Sequence, residues 1–326
     1  MHSASGMNRQ VHGHPHERAD GLGTRRLEVD PQHGPVEILD LAPGFGGTAA
    51  EQALRSRAAR AADLRPGTVL PVYRIDRIGA SLAIVSPAIN GVLLSDLLSA
   101  MQRGTVMVND ALLLELAASV IGVVAALHET RGGFAHGAIC PAHVALMPGG
   151  VRLTDAAMAT VLQDLNLNRE QLWRQYGLAF PSSASLPRFD QRADVTQLGA
   201  VILALLLRRP LAAGDYPRRA MDLVLDATAA QPPYGSALRM WVQQALQLHP
   251  RSVFASGADA SRAFTDMMLN VGGRRAAAEA LDRLVCDLCG HPSEPPAHSH
   301  RPFEAAPDLI PSRVSCGAPP SLSSSR

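Results

Sequence analysis

The pattern of apolar and polar positions changes character along the chain. From about residue 17 to 89 it consists of short extended runs, Arg26–Val29, Val36–Leu41, Leu70–Ile75 and Ser81–Val85. These surround one Ala/Arg-rich helical stretch, Ala49–Leu64. From about residue 90 the period becomes helical. Leu113, Leu116, Val120, Val124 and Leu127 recur at spacings of three and four behind Asn109, a good N-cap, and predict a buried helix. Val195, Leu198, Ile202, Leu205 and Leu206 predict a second, apolar enough to be the core of its lobe. Tyr234–Leu248 and Ser256–Leu269 predict two more. Residues 1–16 are polar, and 271–326 are rich in Pro, Ser and His. Neither end carries enough apolar surface to order itself. The expected layout is α+β: a small β-rich lobe over 17–89, a larger, mainly helical lobe over 90–270, and disordered ends over 1–16 and 271–326.

Composition narrows the function classes. The 326 residues are 47% hydrophobic and 18% charged with net charge +1, a soluble globular balance with no electrostatic case for nucleic acid or a membrane surface. Arg55, Arg57, Arg60 and Arg65 line the Ala/Arg-rich helix without interleaved aromatics and read as a solvated face. No apolar run reaches the roughly 18 residues of a spanning helix, and the N-terminus lacks the apolar core of a signal peptide, so a cytoplasmic protein is expected. Four cysteines, Cys140, Cys286, Cys289 and Cys316, are too few for a disulfide framework. All 30 basic residues are arginine. With no lysine anywhere, chemistry that needs a lysine point charge or Schiff base is closed to the chain.

The segment Leu127–Asp155, LHETRGGFAHGAICPAHVALMPGGVRLTD, resembles a protein kinase catalytic loop followed by its metal-binding turn. Phe189–Pro210 is similar to the central helix of a kinase large lobe. Leu246–Phe264 resembles the segment that closes the domain, and Leu64–Leu98 resembles the run from the lone helix of the small lobe through the hinge. The resemblance, to bacterial serine/threonine kinases, covers about residues 17–270 and implies a two-lobed kinase-like fold.

At the chemical positions the resemblance implies losses. Kinases position phosphate with a third-strand lysine held by a helix glutamate, a catalytic-loop aspartate, metal-binding asparagine and aspartate residues, and a glycine-rich lid. Here Leu39 stands at the lysine, Glu37 at the small residue beside adenine, and Arg57 at the glutamate. Ala138 replaces the catalytic aspartate, Cys140 the following lysine and His143 the asparagine, while Asp155 survives as one magnesium ligand. The lid remnant keeps Gly21 and Gly23. Because no lysine exists, no relocated substitute for the missing charge is expected. Asp194 is retained where the family anchors the catalytic-loop backbone. Ser182 and Val253 stand where the family has a buried glutamate–arginine pair, both members replaced together.

The expected function is that of a catalytically inactive kinase-like domain, a pseudokinase, regulating or scaffolding a protein partner such as a kinase or signalling component. The rival is an atypical serine/threonine kinase or weak ATPase binding ATP and magnesium through Asp155. No nucleotide cofactor is expected. For zinc the candidates are Cys286, Cys289 and His291, a single CxxC with a following histidine.

Overall fold

The structure, a computed structural model, describes residues 17–182, 186–229, 235–248, 252–269 and 274–288. The small lobe comprises β1 (Arg18–Asp20), β2 (Gly23–Asp30), β3 (Gly34–Leu41), α1 (Thr48–Ala62), β4 (Arg74–Ile78) and β5 (Ser81–Pro87). Its five strands form one antiparallel sheet in the order β1-β2-β3-β5-β4. Alternation puts Leu39 and Ile84, directly paired across β3 and β5, on the face that receives Leu54 of α1. The extended run expected over Leu70–Ile75 becomes strand only at Arg74. Pro71 has no N–H for a ladder, and the Leu70 N–H instead donates to the Leu153 carbonyl at 2.8 Å, tying the lobes together.

The large lobe contains β6 (Val92–Leu93), α2 (Leu94–Gln102), α3 (Asp110–His128), β7 (Val144–Met147), β8 (Gly150–Leu153), α4 (Ala159–Asp164), α5 (Arg169–Tyr176), α6 (Gln191–Leu207), α7 (Ala220–Ala229), α8 (Gly235–Ala245), α9 (Gly257–Met268) and α10 (Arg274–Leu288). The Asn109 side chain caps α3 by accepting from Leu112 N–H, and Asp190 caps α6 by accepting from Arg192 and Ala193. Nearly all of α6 is buried, the central core helix the periodicity predicts. By length and composition α3 would pass for a membrane span, contrary to the expectation that no run is long enough. It lies in the large-lobe core, packed against α6, α9 and α10.

The expectation of a disordered chain from residue 271 is corrected over Arg274–Leu288. This segment is helical and packs on α3, burying Leu281 and Val285, which lie four residues apart on one face.

Candidate functional site

The cleft between the lobes is built by β2, β3, the turn joining β1 to β2, and the loop that follows β8. Register places Arg25 of β2 directly across from Leu39 of β3. Leu39, at the lysine position, is 2% exposed and sits in an apolar core with Leu22, Leu54, Ile84 and Ala138. The charge it lacks comes from the next strand. Arg25 is almost wholly buried. Its Nε meets Asp20 Oδ2 at 2.7 Å, Nη1 meets Glu37 Oε1 at 2.7 Å, and Nη2 meets Asp155 Oδ2 at 3.0 Å. A cation therefore does enter the cleft, as an arginine from a different strand, which corrects the expectation that none could replace the lysine. Its signal in the sequence was a single charge in the alternate positions Gly23, Arg25, Leu27 and Val29 of β2.

The electrostatics follow from this convergence. Burial works against the charge of Arg25, but Asp155, Asp20 and Glu37 outweigh it and raise the guanidinium pKa. Burial would likewise raise the Asp155 carboxyl, yet Arg25 and then His143 hold it well below the usual carboxylate range. Asp155 adopts a left-handed backbone (φ 61°) and accepts from the Thr154 hydroxyl at 2.6 Å. Glu37 turns its carboxylate onto Arg25.

The glycines of the lid remnant serve packing. A Cβ on Gly21 would lie 2.2 Å from the Gln175 carbonyl oxygen of α5, so only glycine allows the turn to touch that helix. The neighbouring Leu22 is 1% exposed and drives into the core shared with Cys140, Leu172, Leu178 and Phe180. What remains between Arg25, Glu37, Ile84, Thr154 and Ala157 is a cavity of about 20 Å³. That is room for one water, against roughly 300–1,000 Å³ for a typical ligand pocket.

The catalytic-loop frame is intact while its chemistry is apolar. Asp194 accepts from His136 N–H and Gly137 N–H, each at 2.6 Å, and from His128 Nε2 at 2.9 Å. Gln197 accepts from Ile139 N–H at 2.7 Å. This is the anchoring role the resemblance implies for Asp194. Ala138 is fully buried and Cys140 is 5% exposed. His143, at the asparagine position, donates through Nδ1 to the Ala138 carbonyl at 2.7 Å and places Nε2 3.7 Å from Asp155. Burial opposes its charge, but Cys140 and Asp155 outweigh burial and raise it to about 9. His136 receives Ala138 N–H on Nδ1 and donates through Nε2 to the Thr154 carbonyl at 2.9 Å. Burial brings it down to about 4.

Among the described residues, Arg57, at the glutamate position, makes no ion pair. It donates to the carbonyls of Ala156 at 2.8 Å, His136 at 3.1 Å and Ala135, and stacks over Phe134 at 4.6 Å. Burial draws its pKa down to about 10 despite the pull of Asp194. The helix and catalytic loop stay joined without the Lys–Glu pair.

The segment after Asp155 folds back as α4 and α5. Met158, Val161 and Leu162 join the inter-lobe core, and α4 packs on α1. Of the zinc candidates, Cys286 lies on α10, while Cys289 and His291 fall outside the described residues.

No family model matches this sequence, and no curated protein matches it. Solved structures do match the fold. The kinase domain of Mycobacterium tuberculosis PknI aligns over 77% of this chain and 93% of its own, with 18% identity and a TM-score of 0.51. A single-residue variant of that domain aligns over 77% and 92%, with 21% identity and a TM-score of 0.54. A doubly substituted form gives 0.52 at 21% identity. The chain has a protein kinase-like fold.

Proposed function

We propose that this chain is a pseudokinase: a kinase-like domain that regulates or scaffolds a protein partner and does not transfer phosphate. The observation that carries this reading is the pairing of Arg25 with Asp155 in a cleft filled by Leu22, Leu39 and Ala138. The surviving magnesium ligand is committed to an internal cation, and the space for nucleotide is closed. No group at position 138 takes a substrate proton. The binding surface we assign is the segment 158–187, which carries α4, with Val161 and Leu162 in the inter-lobe core, and α5, with Trp173 in the large-lobe core. The partner is a protein, a kinase or another signalling component, met in the cytoplasm; neither nucleic acid nor a lipid surface is called for. The domain works without nucleotide or metal.

A ligand that binds only the folded state raises the melting temperature with the logarithm of its concentration above its dissociation constant. Millimolar MgATP should leave the melting temperature of this protein unchanged, and phosphate transfer to a generic substrate should stay at background. Saturable stabilisation by MgATP, together with transfer abolished by Asp155→Ala, would overturn the proposal. That result would favour the second reading, an atypical serine/threonine kinase or weak ATPase. One observation speaks for it: Arg25 brings a positive charge to the cleft, beside Asp155. In that reading the guanidinium would exchange its three carboxylates for phosphate oxygens.

A further inference from the structure

A second cavity, of about 210 Å³, opens between the catalytic loop, α5 and α6. It lies where the two apolar cores fail to close on each other. Ile139, Trp173 and Ala200 belong to the large-lobe core and Cys140 to the inter-lobe core. The void exists because α6 presents small side chains here, Ala200 and Ala204, one turn apart and opposite Trp173 and Tyr176 of α5.

Of the polar side chains that line it, Trp173 and Gln197 are already engaged. Trp173 Nε1 donates to the Ala213 carbonyl at 2.9 Å, and Gln197 bonds Ile139 N–H and the Gly137 carbonyl. A guest that needs several hydrogen bonds would find only the Ser95 and Tyr176 hydroxyls to supply them and would go largely unsatisfied. An apolar guest loses nothing and displaces at most poorly held water. Size sets the second limit: an apolar cavity of about 150 Å³ accepts a benzene ring, so this one has room for one ring or a fused pair. Two aromatic side chains and the Cys140 thiol then favour an aromatic over an aliphatic guest, through ring contacts and sulfur–aromatic contact.

The geometry points to a binding site for a small, uncharged aromatic molecule of indole size, seated between Cys140, Trp173 and Ala200. The site is separate from the nucleotide cleft and stands whichever reading of that cleft holds. A bound ring bridges the catalytic loop, α5 and α6, and so stiffens the segment assigned above to the partner.

Indole is the probe, with the full chain. Millimolar indole should give a saturable rise in melting temperature of about 2–4 °C and slow alkylation of Cys140 by iodoacetamide, read by peptide mass spectrometry. Ala200→Leu should fill the space and remove both effects, with Ala204→Leu as the alternative filling. If neither variant folds, protection of Cys140 in the parent decides. Absence of any indole effect on melting or on Cys140 labelling would overturn the site. So would a melting shift that survives in a folded filled variant, because the indole would then be bound elsewhere.

Discussion

The Arg25 guanidinium and the Asp155 carboxylate lie 3.0 Å apart, joining β2 of the small lobe to the loop after β8 of the large lobe. Arg25 also holds Asp20 and Glu37, so its removal leaves three acids facing one another in a closed cleft. Arg25→Met should lower stability by about 3–5 kcal/mol, measured by urea denaturation. Millimolar magnesium should restore part of that loss in the variant and do nothing for the parent. A variant as stable as the parent would mean the cluster is solvated and the cleft open.

Leu39→Lys returns the residue type that the kinase resemblance calls for. It should fail structurally. Position 39 is buried among leucines and faces Arg25 across the ladder, while Arg57 holds the helix position where a glutamate would be needed. An unpaired buried ammonium should cost about 3 kcal/mol or more, and phosphate transfer should remain at background.

Leu22 tests whether the lid has become core. A side chain at the tip of a mobile lid tolerates truncation, whereas one that is 1% exposed does not. Leu22→Ala should cost about 2–4 kcal/mol. A loss under about 0.5 kcal/mol, the scale of surface substitutions, would place the turn outside the packed structure.

Two buried histidines predict a stability maximum near pH 6.5. His136 has a folded pKa of about 4, below its ordinary 6.5, so the unfolded chain binds the extra proton and stability falls as pH drops from 6.5 to 4. His143 has a folded pKa of about 9, above 6.5. Its contribution is complete below pH 6.5 and is lost as pH rises to 9. Each limb is worth on the order of 3 kcal/mol. Denaturation midpoints across pH 4–9 should be bell-shaped, and His143→Asn should flatten the alkaline side and, because His143 also lowers His136 and Asp155, soften the acid side to a smaller degree.

Leu281→Ala on α10 should cost about 2–3 kcal/mol, since the side chain is 8% exposed against the large-lobe core. An unchanged melting temperature would return this stretch to the disordered tail that its composition suggests.

Local periodicity explains what was legible in the sequence. The Asn109 cap and the apolar rows of α3 and α6 are short-range signals, and they predict their helices to within a few residues. The order of motifs likewise located Leu39, Ala138 and Asp155 at one cleft. Arg25 escaped because its role depends on strand register: nothing near it in sequence says that Asp155, 130 residues away, will meet it. The helix α10 escaped because a Pro/Ser-rich stretch follows it and masks the Leu281/Val285 pair. For α5 a local signal existed and went unread, the capping box of Asn168 with Gln171.

Among the described residues, Arg57 grips main-chain carbonyls of residues 135, 136 and 156 and no side-chain acid. Peptide oxygens do not titrate near neutrality, carry no phosphorylation site and are kept by every residue type, proline included. The joint between α1 and the catalytic loop therefore has no chemical handle by which another enzyme could loosen it. Under the proposed reading, a protein partner would meet this joint already in its final shape, and little ordering entropy would be lost there on association. Differences in affinity among partner variants should accordingly appear in how long the complex lasts more than in how fast it forms.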